Sequence, residues 1–184
     1  MFRKLALLLV VFTLAVGTFG SVAFADDPIK VGLSFSDFAT ERWKNEEVLM
    51  TGLLEDLGYE VVSAEANHDV VMQNNQIENM VAQGVAAIIV VAEDGDAITT
   101  AVDAAAEEGV LIIAYDRLIK SPNIAAYVSF NNVEVGRQQA LGVMEAIDIE
   151  GGEWTEENPL RLVKLGGSPT DNNAILFRQG QDEI

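Results

Sequence analysis

Three clusters of polar residues stand just after predicted strands: Glu41-Arg42-Trp43, Tyr115-Asp116-Arg117 and Asp171-Asn172-Asn173. In an open α/β sheet, ligands bind at the carboxyl ends of the strands. Asp116 comes shortly after the apolar run 110–114 and offers the two acceptor oxygens of a carboxylate. Arg117 beside it offers the N–H donors of a planar guanidinium. Neutral polyols need donors and acceptors together. The clusters therefore indicate a sugar site rather than a reaction centre.

The side chains of these clusters would have different tasks at such a site. The ring of Trp43 can stack on the apolar C–H face of a pyranose, while Arg42 donates to its hydroxyls. Successive helix positions point about 100° apart, so Glu41 cannot face the same ligand equally and is set aside. We predict six ligand-binding residues: Arg42, Trp43, Asp116, Arg117, Asp171 and Asn173.

Each cluster also has an ordinary structural interpretation. Trp43 could belong to the core, and Asp116 with Arg117 could form a local ion pair, which is common and weak at protein surfaces. The residues 171–173 are of the types that cap helix N-termini. We expect one of these three to cap the following helix while another faces the cleft.

Motifs of catalysis and of metal or phosphate binding are missing from the sequence. There is no G-x-S-x-G, no H-E-x-x-H and no cysteine. The run Gly166-Gly167-Ser168-Pro169 joins a predicted strand to a helix, but it lacks the glycine spacing and the lysine of phosphate loops. His68 is the one histidine and is interpreted as an ordinary surface residue. We expect no enzyme activity, no cofactor and no metal site.

The first 25 residues have the features of a secretory signal peptide. Arg3 and Lys4 precede the apolar run 5–16, and Ala23-Phe24-Ala25 forms a small-residue cleavage site. An uncleaved anchor is the alternative, since residues 5–25 are nearly long enough to cross a bilayer. The net charge of −18 disfavours binding to nucleic acids and to anionic lipids. We therefore expect a protein exported to the periplasm.

Apolar, β-branched runs alternate with helical patterns along the rest of the chain. The predicted strands are residues 29–33, 59–62, 86–91, 110–114, 125–130 and 160–165. Helical spacing of apolar residues appears within the segments 50–57, 98–105 and 140–147, and Gly58, Gly84 and Gly109 are predicted helix stops. Strands that are so uniformly apolar are typical of a parallel sheet buried on both faces.

The alternation predicts an α/β fold with a parallel, doubly wound sheet. We assign residues 26–129 to a first, sugar-binding lobe. Residues 130–184 are assigned to an incomplete second α/β lobe, because one predicted strand and two helices cannot close a sheet core of their own.

The order of several motifs resembles the periplasmic xylose-binding proteins, which belong to the ribose/xylose-type class of solute receptors for ABC importers. These motifs are Glu41-Arg42-Trp43, Gln76-Ile77-Glu78-Asn79-Met80, Ala114-Tyr115-Asp116-Arg117, Gly166-Gly167-Ser168-Pro169 and Asp171-Asn172-Asn173-Ala174. The resemblance implies a two-lobed, type I periplasmic-binding-protein fold. It further implies that the lobes close on a monosaccharide, D-xylose or a similar aldose, and that the receptor docks on an ABC permease in the inner membrane.

The resemblance also implies a role for each candidate residue. Arg42 and Trp43 would hydrogen-bond to the sugar and stack on it. The pair Asp116-Arg117 would grip the hydroxyls from the first lobe, and Asn173 with Asp171 would contribute from the second. The segment 127–131 would be one of the hinge crossings.

Receptors of this class continue for much of a further domain, so the chain is expected to carry about half of the sugar contacts. A micromolar site is worth about 8 kcal/mol, and half of that leaves millimolar affinity at best. We therefore expect a fragment with little function of its own. A sugar-sensing receptor that signals to a histidine kinase or chemoreceptor is the alternative to a transport receptor.

Overall fold

The computed structural model describes residues 27–148 and 151–184, so the predicted signal peptide lies outside the described residues. In this part of the chain, five strands form one sheet: β1 (Lys30–Phe35), β2 (Glu60–Glu65), β3 (Ala87–Val90), β4 (Leu111–Tyr115) and β5 (Ala126–Val128). Their spatial order is β2-β1-β3-β4-β5, and every neighbouring pair is parallel. The predicted parallel, doubly wound α/β sheet is confirmed. Its winding reverses between β1 and β3, where a ligand crevice is expected to open.

Five helices accompany the sheet in the described residues: α1 (Glu41–Asp56), α2 (Val70–Ala82), α3 (Thr99–Glu107), α4 (Asn132–Ala146) and α5 (Asn172–Asp182). Gly58, Gly84 and Gly109 follow the C-caps of the first three helices with φ of 88°, 77° and 85°. This left-handed backbone favours glycine and ends a helix cleanly. The predicted helix stops are therefore confirmed. None of the described helices combines the length and apolarity that crossing a membrane requires.

The core lies on both faces of the sheet. Helices α2 and α3 cover one face, where Ile77, Met80 and Val102 are buried. Helix α1 covers the other face, where Trp43 packs with Leu33. The outer strands β2 and β5 are largely exposed or half-buried, so burial on both faces holds for the central strands and not for the sheet edges.

The apolar segment 160–165, predicted as a strand, has no regular structure. In this segment, Leu162, Val163 and Leu165 are 64%, 81% and 92% exposed. A strand needs a neighbour for its backbone N–H and C=O groups, and no strand among the described residues pairs with this segment. The strand prediction is wrong because an apolar run cannot supply that neighbour.

The apolar stripe predicted on α1 is only partly buried. Met50 and Leu54 pack against the core, whereas Leu53 and Leu57 are exposed. The spacing correctly predicted the helix. The contact between α1 and the sheet is narrower than the apolar stripe, so part of the stripe stays exposed.

Helices α4 and α5 pack backbone to backbone through two glycines. A Cβ at Gly136 would meet the carbonyl oxygen of Phe177, and a Cβ at Gly180 would meet that of Val133. This close packing holds α5 so that its first turn reaches the end of β4.

The predicted boundary between the two lobes, at residues 129/130, falls between β5 and α4 and stays a prediction.

Candidate functional site

Asp116 lies at the centre of the candidate site, directly after β4. Its side chain is buried, and its φ of 62° lies in the left-handed region that Asp tolerates better than most residues. The backbone N–H of Asp116 donates to the carbonyl of Val128 at 2.8 Å. Its carbonyl accepts from the hydroxyls of Tyr127 at 3.1 Å and Ser129 at 3.0 Å. These bonds fix the turn that holds the carboxylate at the carboxyl edge of the sheet.

Each oxygen of the Asp116 carboxylate accepts a hydrogen bond from a different helix. Arg42 Nη1, in the first turn of α1, donates to Oδ2 at 2.8 Å, and Asn173 Nδ2, in the first turn of α5, donates to Oδ1 at 2.9 Å. Burial acts to lower the pKa of Arg42, but hydrogen bonds to Glu46 and Asp116 outweigh burial and raise that pKa. Arg42 is therefore a permanent cation facing Asp116.

Trp43 lies beneath the two candidate arginines. Its side chain is 4% exposed and packs with Phe35 and Val91. The guanidinium carbons of Arg42 and Arg117 lie 4.4 Å and 5.8 Å from the centroid of its ring, within the range of cation–π attraction. In this structure the ring belongs to the core and supports the arginines. Stacking of Trp43 on a sugar stays a prediction.

Arg117 connects the loop after β3 with the start of α5. Its Nη1 donates to the carbonyl of Ala92 at 3.0 Å and lies 3.5 Å from Oε2 of Glu93. Its Nε lies 3.7 Å from Oδ2 of Asp171 and has no hydrogen-bond partner within the described residues. The Nε–H is thus a buried donor that a ligand hydroxyl could satisfy.

The residues 171–173 divide their tasks. Asp171 is the N-cap of α5, where its Oδ1 accepts from the backbone N–H of Asn173 at 2.9 Å. The side chain of Asn173 faces the Asp116 turn, and its Oδ1 accepts from Asn132 Nδ2 at 3.0 Å. One residue therefore does cap the helix while another reaches the centre of the site.

Two residues of this arrangement escaped the sequence-based prediction. Glu46 accepts from Arg42 Nε at 2.6 Å, and the buried Asn132 orients the amide of Asn173. The i,i+4 spacing of Arg42 and Glu46 on a helix was a usable signal for the first. Nothing in the sequence marked Asn132, because its role depends on how α4 packs beside α5.

The loops after β1, β2 and β3 bring Asp37, His68 and Glu93 together, each offering a ligand atom within 4.8 Å of the others. The two ring nitrogens of His68 face different carboxylates, Nε2 at 3.6 Å from Asp37 Oδ1 and Nδ1 at 3.2 Å from Glu93 Oε2. A metal ion would need one ring nitrogen and both carboxylates to converge. The arrangement suits a bridge between the side chains of Asp37 and Glu93 better than a set of metal ligands.

The pKa of Asp37 is lowered. Burial, the largest influence, acts to raise it, but the combined effect of hydrogen bonds from Thr40 and Ser36 and of the charge of His68 prevails. The side chain of His68 is exposed, as expected of a surface histidine, and it lies between the carboxylates of Asp37 and Glu93.

Two cavities lie on the α4–α5 side of the cluster. One of about 610 Å³ lies between α5 and the segment 164–169 and is bordered by Asp171. The other, of about 420 Å³, is lined mainly by apolar side chains of α4 and of the segment 160–165. Arg42 and Asp116 border neither of these cavities.

Residues 31–184 match a protein family described as "Periplasmic binding protein domain". The D-xylose-binding periplasmic protein of Haemophilus influenzae is 36% identical over 181 residues, which cover 98% of this chain and 51% of that protein. The corresponding protein of Escherichia coli is 34% identical over 164 residues, 89% of this chain and 47% of that protein. A multiple sugar-binding periplasmic receptor of Rhizobium radiobacter is 33% identical over 168 residues, 91% of this chain and 46% of that protein. The chain thus spans about half the length of the curated relatives it matches.

Solved structures agree with the sequence comparison. An ABC transporter solute-binding protein from Clostridium phytofermentans, with bound β-D-glucose, superposes with a TM-score of 0.78 at 33% identity. The superposition covers 84% of this chain and 47% of that one. The resemblance inferred from the motifs is confirmed, and so is the type I fold that it implied.

Proposed function

Since the chain belongs to the periplasmic binding protein domain family, we propose that the protein binds a monosaccharide, D-xylose or a similar aldose, as an exported receptor for ABC-type import. The names of the relatives support a sugar ligand and a periplasmic location. The observation that carries the proposal is the meeting of Arg42, Asp116, Arg117 and Asn173 at one edge of the sheet. The proposed partner in the inner membrane is a permease.

The cluster has the hydrogen-bonding capacity that a neutral polyol needs. A guanidinium carries five N–H donors, and Arg42 uses one for Glu46 and one for Asp116, which leaves three. Arg117 adds its Nε–H, which has no hydrogen-bond partner among residues 27–148 and 151–184. The two oxygens of Asp116 offer about four lone pairs and accept from two side chains, so acceptors remain as well.

The proposed site binds its ligand and does not transform it. The roles assigned to Arg42, Asp116, Arg117 and Asn173 are those of donors and acceptors, and the cluster assigns no side chain the part of a nucleophile. The site therefore fits a receptor, whose sugar must leave unchanged.

A titration of the full chain with D-xylose, D-glucose and D-arabinose tests the proposal. Two-dimensional NMR suits the weak binding expected, with dissociation constants on the order of millimolar. Glycine betaine, which has no hydroxyl groups, serves as the control solute. We expect saturable shifts for residues around Asp116 with at least one sugar and none with betaine.

A pair of matched variants locates the binding. Arg117→Lys removes the planar donor fork and should weaken sugar binding about tenfold, whereas Arg178→Lys, on the exposed face of α5, should not change it. If no sugar at about 100 mM shifts any resonance of the site more than betaine does, the proposed function is wrong.

A further inference from the structure

Glu46 is not among the residues proposed to contact the sugar. It does make a short hydrogen bond to Arg42, which is one of them. Its Oε1 accepts from Arg42 Nε at 2.6 Å. The Glu46 side chain is 20% exposed, against 42% for Arg42. The more buried carboxylate therefore holds the more exposed guanidinium.

Two carboxylates fix the guanidinium of Arg42 from two directions. Glu46 binds the Nε edge, and Asp116 binds Nη1 at 2.8 Å. A planar group held at two points has a defined orientation, and its free N–H groups then point in a defined direction. An unheld arginine would lose much of its rotamer freedom on binding a ligand, which weakens affinity.

We infer that Glu46 is a positioning residue for sugar binding, which orients the guanidinium of Arg42 toward the ligand without touching the ligand itself. The inference rests on the proposed function. It also explains why a second carboxylate, that of Glu46, lies one helical turn from Arg42. A neutral sugar carries no charge that this carboxylate could balance.

The test compares Glu46→Gln with Glu47→Gln in the full chain. Glu47 is the matched control, because it also lies on α1 and is about as exposed, but it pairs with Lys44 instead. Two quantities are measured: the sugar dissociation constant by NMR titration, and the Nε–H resonance of Arg42, assigned by its loss in Arg42→Lys. Both Gln variants are also combined with Arg42→Lys.

We expect Glu46→Gln to shift the Arg42 Nε–H resonance, to speed its exchange with water and to weaken sugar binding roughly fivefold. Glu47→Gln should cause none of these three changes. In the Arg42→Lys background, Glu46→Gln should cause no further loss, since a residue that acts through Arg42 has nothing left to orient.

An equal loss of affinity in both backgrounds would overturn the inference, because Glu46 would then act without Arg42. An unchanged Arg42 Nε–H resonance in Glu46→Gln would overturn it as well. If the wild-type chain binds no sugar, the proposed function fails and so does the inferred role in binding. The resonance would still show whether Glu46 orients Arg42.

Discussion

Replacement of Asp116 by Asn tests whether its carboxylate holds helix α1, the turn after β4 and helix α5 together. Asn adopts the left-handed backbone readily, so the φ of 62° can be kept and the side-chain shape is nearly unchanged. What changes is one acceptor oxygen, which becomes an NH2 donor facing either Arg42 or Asn173. Asn173 could turn its amide to match only by giving up the hydrogen bond that it accepts from Asn132 at 3.0 Å.

The expected cost follows from these bonds. One hydrogen bond to a charged group is lost, which is worth about 1.5–3 kcal/mol. Arg42 is 42% exposed, so water recovers part of the loss on that side. We therefore expect Asp116→Asn to lower the free energy of unfolding by about 2 kcal/mol, and the melting temperature by about 4–8 °C for a chain of this length.

Thermal and urea unfolding near neutral pH, followed by circular dichroism, measure this loss. Asp148→Asn is the control, because Asp148 also has a left-handed backbone, with φ of 46°, but is exposed. It should change stability by less than about 0.5 kcal/mol. If Asp116→Asn were as stable as the wild-type chain, the hydrogen bonds of Asp116 would not be what joins α1 and α5 to the sheet.

Two further predictions concern the surroundings of the site. Gly32→Ala would place a Cβ 2.8 Å from Met80 Sδ, so it should lower the free energy of unfolding by about 1–3 kcal/mol and lower the urea midpoint. Gly52→Ala on α1 would meet no atom of the described residues within 4 Å, so it should stabilise the fold by up to about 1 kcal/mol. The pKa of Asp37 lies below its ordinary value of 3.8, because the hydrogen bonds to its carboxylate, together with the charge of His68, outweigh the effect of burial. The ionised carboxylate therefore stabilises the fold above pH 3.8, and this stabilisation is lost as the pH falls through the pKa of the folded state. Asp37→Asn should therefore lower stability at about pH 7 and much less at about pH 2 in urea unfolding; an equal loss at both would mean that the charge of Asp37 contributes nothing.

Between residues 27 and 128, local patterns predicted the five strands to within a few positions and the glycines that follow the first three helices. Runs of β-branched residues, helical spacing and the three helix-ending glycines are consequences of backbone sterics and of burial on one face. The same patterns failed at the segment 160–165, because a strand is defined by a neighbour and not by its own composition. Apolar spacing also does not show how much of a helix the sheet covers, and Leu53 of α1 is exposed although it lies on the apolar face.

The candidate site was predictable as a set of residues and not as an arrangement. Polar residues after buried strands indicate a ligand edge in any parallel sheet, which is why Asp116 and Arg117 could be selected. The sequence left open whether Trp43 packs in the core or stacks on a ligand, because both roles call for the same residue type, and the structure places it in the core beneath two guanidiniums.

The sequence by itself determined the five strands of the sheet, the C-terminal ends of the first three helices, the acidic charge and the residue types that can bind a polyol. The tertiary structure alone decided that Arg42 and Asn173 both donate to the carboxylate of Asp116. In the chain, these two residues lie 74 and 57 positions away from Asp116. Hydrogen bonds form only near 3 Å, and that distance depends on strand order, on the left-handed turn at Asp116 and on the packing of α5 against α4. Chain separation carries no such information, so the contacts of the site emerge only when the elements are assembled.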